Sequence, residues 1–189
     1  MIEKKEQQID ERYLRMIMEE HGSSLLKLTY SYVKNWSTAE DIVQETFINF
    51  SQKYNQYRGE SSLKTWLFQI AVNKSKDFLK SPKNKLSHLG ISMVNLYSKE
   101  KNADEKLIEM DEYQIIAKCL FKLPIKYREV LTLFYYEDLT IAEISRILSI
   151  NESNVRTRLS RGREKFKKIY LKEVEEIEGK VRQTKDSIG

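Results

Sequence analysis

The chain has 189 residues, 40% of them apolar and 11% aromatic, and carries 33 Lys and Arg against 28 Asp and Glu for a net charge of +5. That much apolar material builds a core and excludes a wholly disordered chain, while six Gly and two Pro are too few for the tight turns of a β sandwich or barrel. One cysteine, Cys119, and two histidines, His21 and His88, exclude a disulfide framework and a Cys- or His-based metal site.

The opening segment, Met1-Ile2-Glu3-Lys4-Lys5-Glu6, has no apolar run of the kind a signal peptide needs. No stretch of about 18 apolar residues follows anywhere, so no helix is expected to span a membrane. The expected compartment is the cytoplasm. After a polar start, Leu25, Leu28, Thr29, Tyr32 and Val33 recur at helical spacing, with Trp36 just past them. Ser37-Thr38-Ala39-Glu40 reads as a capping box, with Ser37 accepting an amide proton and Glu40 reaching back. The helix it opens puts Ala39, Ile42, Val43, Phe47, Phe50 and Tyr54 on one face and Asp41, Gln44, Glu45 and Asn49 on the other. Tyr57-Arg58-Gly59-Glu60-Ser61 reads as a loop. The next helix turns Leu63, Trp66, Leu67, Ile70, Ala71 and Phe78 inward and lines an exposed face with Thr65, Gln69, Asn73, Lys76 and Lys80. Ser81-Pro82 ends it, because the residue before proline is pushed out of helical geometry.

From there to about residue 105 periodicity is lost, apart from apolar clusters at 89–93 and 94–97. A structureless run of that length argues for a linker between two domains. A second helical set begins near Leu107, with Ile115, Ile116, Cys119, Leu120 and Leu123 as its stripe. Pro124 fits the first position of the following helix, which turns Tyr127, Val130, Leu131 and Phe134 inward. Thr140-Ile141-Ala142-Glu143 is another capping box. It opens a short helix with Ile141, Ile144 and Leu148 inside. Asn151 is the expected N-cap of the last helix, which carries Val155, Leu159, Phe166 and Tyr170 on one side. Beyond Leu171 a charged tail either extends that helix or frays. The expected fold is all-α: two small helical domains, 12–82 and 107–171, joined by a flexible linker at 83–106 and followed by a tail at 172–189.

Charge is concentrated in two places. Residues 58–85 hold seven basic side chains (Arg58, Lys64, Lys74, Lys76, Lys80, Lys83, Lys85) against Glu60 and Asp77. Residues 152–170 hold seven more (Arg156, Arg158, Arg161, Arg163, Lys165, Lys167, Lys168) against Glu152 and Glu164. Two basic patches on an otherwise acidic chain point to two contacts with a polyanion. The second patch lies on a short helix, a tight turn and an Arg-studded helix, the helix-turn-helix pattern, with Ser145 and Ser149 small at the crossing and Arg156, Thr157, Arg158, Ser160 and Arg161 facing outward. Arginine suits guanine edges and phosphates because its planar fork donates two parallel hydrogen bonds. A solvated basic helix in an ordinary bundle is the plain alternative, and it leaves the first patch unexplained. In that first patch aromatics alternate with cations, as in single-strand binding surfaces. Trp66 and Phe78 belong to the apolar stripe, Tyr57 and Phe68 are less clearly buried, and Asn73 is either solvated or a reader of a base edge. Cys119 reads as a core filler. No Gly-rich phosphate loop, catalytic triad or carboxylate pair is present, so an enzyme with a cofactor or small-molecule substrate is disfavoured.

Two blocks in order, Ala39-Glu40-Asp41-Ile42-Val43-Gln44-Glu45-Thr46-Phe47 and Ser61-Ser62-Leu63-Lys64-Thr65-Trp66-Leu67-Phe68-Gln69-Ile70-Ala71-Val72-Asn73, resemble region two of a sigma-70-family factor. Leu123-Pro124-Ile125-Lys126-Tyr127-Arg128-Glu129-Val130-Leu131, with the helix-turn-helix at 143–163, resembles region four. No region-one or region-three block fits, which is the architecture of the extracytoplasmic-function (ECF) class. The resemblance implies a factor that binds core RNA polymerase, directs it to promoters through minus-10 and minus-35 elements, and aids melting. It implies that Asp41, Gln44 and Glu45 dock on the beta-prime clamp, with the beta flap a further polymerase contact. By the same resemblance Tyr57, Arg58, Ser61 and Lys64 take a flipped base of the minus-10 element, and Gln69, Asn73, Lys76 and Lys80 follow the melted strand and its upstream duplex. Arg156, Thr157, Arg158, Ser160 and Arg161 are implied as the minus-35 readers, and an anti-sigma factor as a further partner. Ser145, Ser149, Asn151 and Gly162 stand where the family usually has alanine, glycine, proline and alanine. The alternative function is a helix-turn-helix regulator that works without polymerase.

Overall fold

Asp10 starts α1 (Glu11–Val33) by accepting the Arg12 amide at 3.3 Å, and Lys34 stops it by turning left-handed (φ 56°) while its own amide returns to the Tyr30 carbonyl. The computed structural model describes residues 9–81 and 112–186, with side chains as far as 179. The expected linker with its apolar clusters, the helix start near Leu107, Pro82, Lys83, Lys85 and His88 lie outside the described residues.

The second N-cap is a correction. Helix α2 (Trp36–Lys53) is capped by Asn35, whose side chain accepts the Thr38 amide at 2.9 Å, so Ser37 sits inside the first turn and forms no capping box with Glu40. The physical reason is the turn before it. The left-handed Lys34 ends α1 so abruptly that the next extended residue is Asn35, and only an extended residue can cap. A short 3-10 turn (Tyr54–Gln56) leads to the loop, where Gly59 takes φ 72°. Ser62 then caps α3 (Leu63–Lys80) through the Thr65 amide at 3.1 Å. Leu25, Phe50, Leu67 and Phe68 are fully buried where these three helices meet, each contributing about 1.5–3 kcal/mol through lost apolar exposure. Phe68 is therefore core and offers no ring to a base. Trp66 is only partly buried, stacked on Tyr57 and tilted against Phe50.

The second unit runs α4 (Glu112–Lys122), α5 (Ile125–Tyr135), α6 (Ile141–Leu148) and α7 (Glu152–Asp186). Pro124 is the N-cap of α5, one position before the expected place. The Thr140–Glu143 capping box is present with both of its hydrogen bonds. Ser149 takes φ 54°, a left-handed C-cap position that ordinarily favours glycine, and the turn is closed by the Ile150 amide on the Ser145 carbonyl and the Ser145 hydroxyl on the Ile150 carbonyl. Asn151 caps α7 through the Asn154 amide at 2.7 Å. Gly162 lies buried against α5, where an added Cβ would stand 3.3 Å from Leu131 Cγ, so the small residue serves a close helix crossing. Past Leu171 the chain stays helical to Asp186, and Glu173, buried on that stretch, pairs with Lys118 and Lys122 of α4.

All regular elements among the described residues are helical, and no helix is long and apolar enough to cross a membrane. The two units do not stand apart. Helix α3 packs on α6 and α1 packs on α5, so one apolar cluster runs from Ile17 and Leu25 through to Val155 and Leu159.

Candidate nucleic-acid and partner interfaces

Three surfaces carry the residues singled out from the sequence. The first is the outer face of α2. Asp41, Gln44 and Glu45 are all exposed there, and Glu45 meets Lys74 of α3 at 2.8 Å. The inner positions Ala39, Ile42, Phe47 and Phe50 anchor the helix, so its acidic face is fixed in direction as well as open.

The second surface is the loop after α2 with the polar face of α3. The Tyr57 hydroxyl donates to the Ser61 carbonyl, and the Tyr57 ring stacks on Trp66 at 5.1 Å between centroids. Together with Gly59 this preshapes the loop and leaves Arg58 exposed at its tip. Along α3 the expectation of one exposed face needs correction. Asn73 and Lys80 are exposed, but Thr65 is buried and Lys64, Gln69 and Lys76 are half-covered. The reason is the second unit. Lys64 Nζ donates to the Glu137 carbonyl at 2.8 Å and lies 3.2 Å from its carboxylate, Gln69 Nε2 donates to the Arg146 carbonyl at 3.2 Å, and Lys76 Nζ lies 3.2 Å from Glu129. Arg146 in turn reaches the Glu60 carbonyl at the base of the loop.

The third surface is the helix-turn-helix, α6 and the first turns of α7. Arg156, Thr157, Ser160 and Arg161 are exposed on one side of α7, and Arg156 is braced by Glu152 at 3.0 Å. Arg158 is a correction to the outward-facing set. It points inward and donates to Glu129 at 2.8 Å. The helical period explains this, because two residues past Arg156 the side chain has rotated by about 200°. Glu143 is held below the usual carboxylate range, first by the Thr140 backbone amide and then by the Thr140 hydroxyl.

Glu129 was not among the residues singled out, and it is a buried carboxylate that joins the two units. It is 3% exposed and receives Tyr32 at 2.7 Å, Arg158 at 2.8 Å and Lys76 at 3.2 Å, from three different helices. Burial, and then the Glu129 charge, push the Tyr32 phenol well above its ordinary value. Neighbouring Arg128 is also buried, which lowers it to about 10, and its guanidinium donates to the Phe121 carbonyl at 3.1 Å while lying over the Phe121 ring. The sequence signal for Glu129 is faint. It lies four residues before Leu133, which is fully buried and marks a second inward stripe on α5. No cluster of His, Cys, Asp and Glu suited to a metal occurs among the described residues.

Residues 17–84 match the family described as Sigma-70 region 2, and residues 113–166 match Sigma-70, region 4. The ECF RNA polymerase sigma factor SigM of Bacillus subtilis is 32% identical over 162 residues, covering 86% of this chain and 94% of that one. RNA polymerase sigma factor SigV of the same organism is 31% identical, covering 83% and 90%. Among solved structures, the sigma factor RpoE in complex with the anti-sigma factor NepR from Bartonella quintana shares the fold at a TM-score of 0.67 and 19% identity, over 82% of this chain and 94% of that one. CnrH in complex with the cytosolic domain of CnrY shares it at 0.61 and 20% identity, over 85% and 88%.

Proposed function

The chain belongs to the ECF class of the sigma-70 family and directs RNA polymerase to promoters, and from that premise we propose how its surfaces divide the task. Residues 12–82 form the unit that meets core polymerase and the minus-10 element, and residues 107–171 form the unit that meets the minus-35 element. On α2, Asp41, Gln44 and Glu45 dock on a basic surface of the polymerase, the clamp of the beta-prime subunit. On the loop, Tyr57, Arg58 and Ser61, with Lys64, receive a base turned out of the minus-10 duplex. Flipping costs a few kcal/mol of unstacking, which a loop already held by the Tyr57–Ser61 bond and the Tyr57–Trp66 stack offsets better than a mobile one. Gln69, Asn73, Lys76 and Lys80 follow the strand beyond it. On α7, Arg156, Thr157, Ser160 and Arg161 enter the major groove, and Arg158 joins the DNA contact from the side of the helix. The factor works in the cytoplasm with its polymerase, and an anti-sigma factor is its expected antagonist, as the structural relative RpoE is seen with one.

The observation that carries this reading is the arrangement of α7. Four polar or cationic side chains at 156, 157, 160 and 161 share one exposed face at the N-terminal end of a capped helix. The test is reconstitution. The purified chain is run through gel filtration with core polymerase at moderate salt, and the holoenzyme is then used to select promoter fragments from genomic DNA. Co-elution at one-to-one stoichiometry, with selected fragments sharing two spaced elements, is expected. Separate elution, with the free chain shifting duplex DNA as a dimer, would overturn it in favour of a polymerase-independent regulator.

A further inference from the structure

A row of aromatic rings runs from the N-terminal end of α1 to the loop after α2. Tyr13 meets Tyr54 edge-on at 6.0 Å between centroids, Tyr54 stacks toward Tyr57 at 6.4 Å, and Tyr57 stacks on Trp66 at 5.1 Å. Phe50 touches both Tyr54 and Trp66, at 5.6 and 5.2 Å. Resting on the assignment of this loop to a flipped minus-10 base, we infer that Tyr13 and Tyr54 are positioning residues for that base. They act without touching DNA, by setting through the Tyr57 ring where the loop's reading groups stand.

The argument starts from what holds the Tyr57 ring. Tyr54 and Trp66 lie beside it at interplanar angles of 24° and 14°, so two near-parallel rings fix its plane. The Tyr57 amide also donates to the Tyr54 carbonyl at 3.0 Å, so backbone and ring share one neighbour. The Tyr57 hydroxyl is engaged on the Ser61 carbonyl, which ties the far end of the loop to the same ring. Between them Arg58, Gly59 and Glu60 are exposed. A tilt of Tyr57 therefore moves Ser61 and carries Arg58 with it. A loop held in place before a base arrives loses less freedom when the base is seated. Phe50, fully buried, anchors the row in the core, whereas Tyr13 and Tyr54 are half-covered. Burial, and then the hydrogen bond with Tyr13, push the Tyr54 phenol above its ordinary value, so the two side chains stay neutral and joined.

Tyr13 lies before residue 17, where the match to Sigma-70 region 2 begins, so this end of the row is supplied by the chain's own start of α1. The Asp10 cap sits three residues before it, and Ile17, one turn on, is 2% exposed. Residues four apart share a helix face, so cap and core together aim Tyr13 at Tyr54. Plain core packing is the alternative for these rings. It predicts that their loss lowers stability and every DNA affinity alike. Positioning predicts a loss confined to one base.

The test uses holoenzyme reconstituted with the parent chain or with its Tyr54→Leu, Tyr13→Leu, Tyr54→Phe and Tyr13→Phe variants. The probe is a fluorescein-labelled single strand carrying the minus-10 sequence that the parent holoenzyme selects, together with copies holding one abasic site at each position in turn. The parent is expected to lose affinity most at one position, that of the seated base. Tyr54→Leu is expected to cut this discrimination roughly fivefold, the weight of one aromatic pair, and Tyr13→Leu about twofold, with the other positions unchanged. The phenylalanine variants keep the rings and are expected to match the parent. Folded leucine variants with the parent's discrimination overturn the positioning role and leave the loop's assignment standing. So does a drop equal at every position, which is plain destabilisation, or an equal drop in the phenylalanine variants, which takes the effect away from the rings. A parent that discriminates at no position overturns the assignment of the loop to a flipped base, and the inference falls with it. Should Tyr54→Leu lose helicity by circular dichroism, Tyr13→Leu, at the outer end of the row, decides by the same readings.

Discussion

Helices α2 and α3 are both 18 residues long, pack on the same core and each present a polar face, yet the two faces meet opposite fates. The acidic face of α2 is open along Asp41, Gln44 and Glu45, whereas the basic face of α3 is covered at Lys64, Gln69 and Lys76 by the helix-turn-helix unit. Charge explains the difference. The second unit brings two buried carboxylates, Glu129 and Glu137, to the seam between the units, which complement lysines and would repel Asp41 or Glu45. A basic face attracts the chain's own acids, and an acidic face does not.

The substitution expected to do most is Asp41→Arg. It reverses charge at the centre of the open face and is expected to cost about 2 kcal/mol or more of polymerase affinity, over thirtyfold. The thermal midpoint should barely move, because an exposed substitution away from any buried partner changes stability by less than about 0.5 kcal/mol. Titration of labelled chain against core polymerase, with a melt alongside, checks both. Undiminished affinity would show that the open face is not the docking face, and the contrast with α3 would lose its meaning.

Next in size is a pair within one helix. Arg158→Ala removes a charged hydrogen bond to a 3%-exposed carboxylate and is expected to cost about 1.5–3 kcal/mol of stability. Arg156→Ala removes only an exposed contact to Glu152 and should leave stability within about 0.5 kcal/mol. Both are expected to weaken promoter binding by the holoenzyme while sparing its assembly, measured by filter binding on a selected fragment and by melting of the free chain. Equal stability of the two variants would remove Arg158 from the seam.

That pair also shows what was legible in the sequence and what was not. The helices, their inward stripes and the helix-turn-helix follow from local periodicity and capping, because those signals lie within a few residues of what they specify. Even the inward turn of Arg158 was available from its angular distance to Arg156. The cap of α2 was not decided locally. Asn35 and Ser37 are equally good capping residues, and the choice was made by the left-handed Lys34 upstream. The closure of α3 was out of reach for another reason. Glu129 sits between Arg128 and Val130 and reads as one more surface acid; its partner Tyr32 is 97 positions away, and no short-range pattern encodes such a pairing. The buried state of Thr65 and the half-covered state of Gln69 follow from the same docking.

The smallest expected effect isolates the helix-turn-helix from the seam. Thr140 accepts the Glu143 amide, and Glu143 accepts from the Thr140 amide and hydroxyl. Thr140→Ala should cost about 1 kcal/mol. These bonds hold the Glu143 carboxyl below the ordinary carboxylate range, so the folded state favours its ionised form. Stability from this source is present above the unfolded value and is lost as pH falls through the lower folded one. The parent chain should therefore lose this part of its stability as pH falls below the ordinary carboxylate range, and Thr140→Ala should flatten that part of the profile. Denaturant melts at a series of acid pH values read it out. A variant that is destabilised yet keeps the parent's acid slope would mean that the shift on Glu143 comes from across the seam, where Lys64 and Thr65 of α3 also bear on it. In that case acid would act on the closure itself, and the covered face of α3 would be the one whose exposure follows pH.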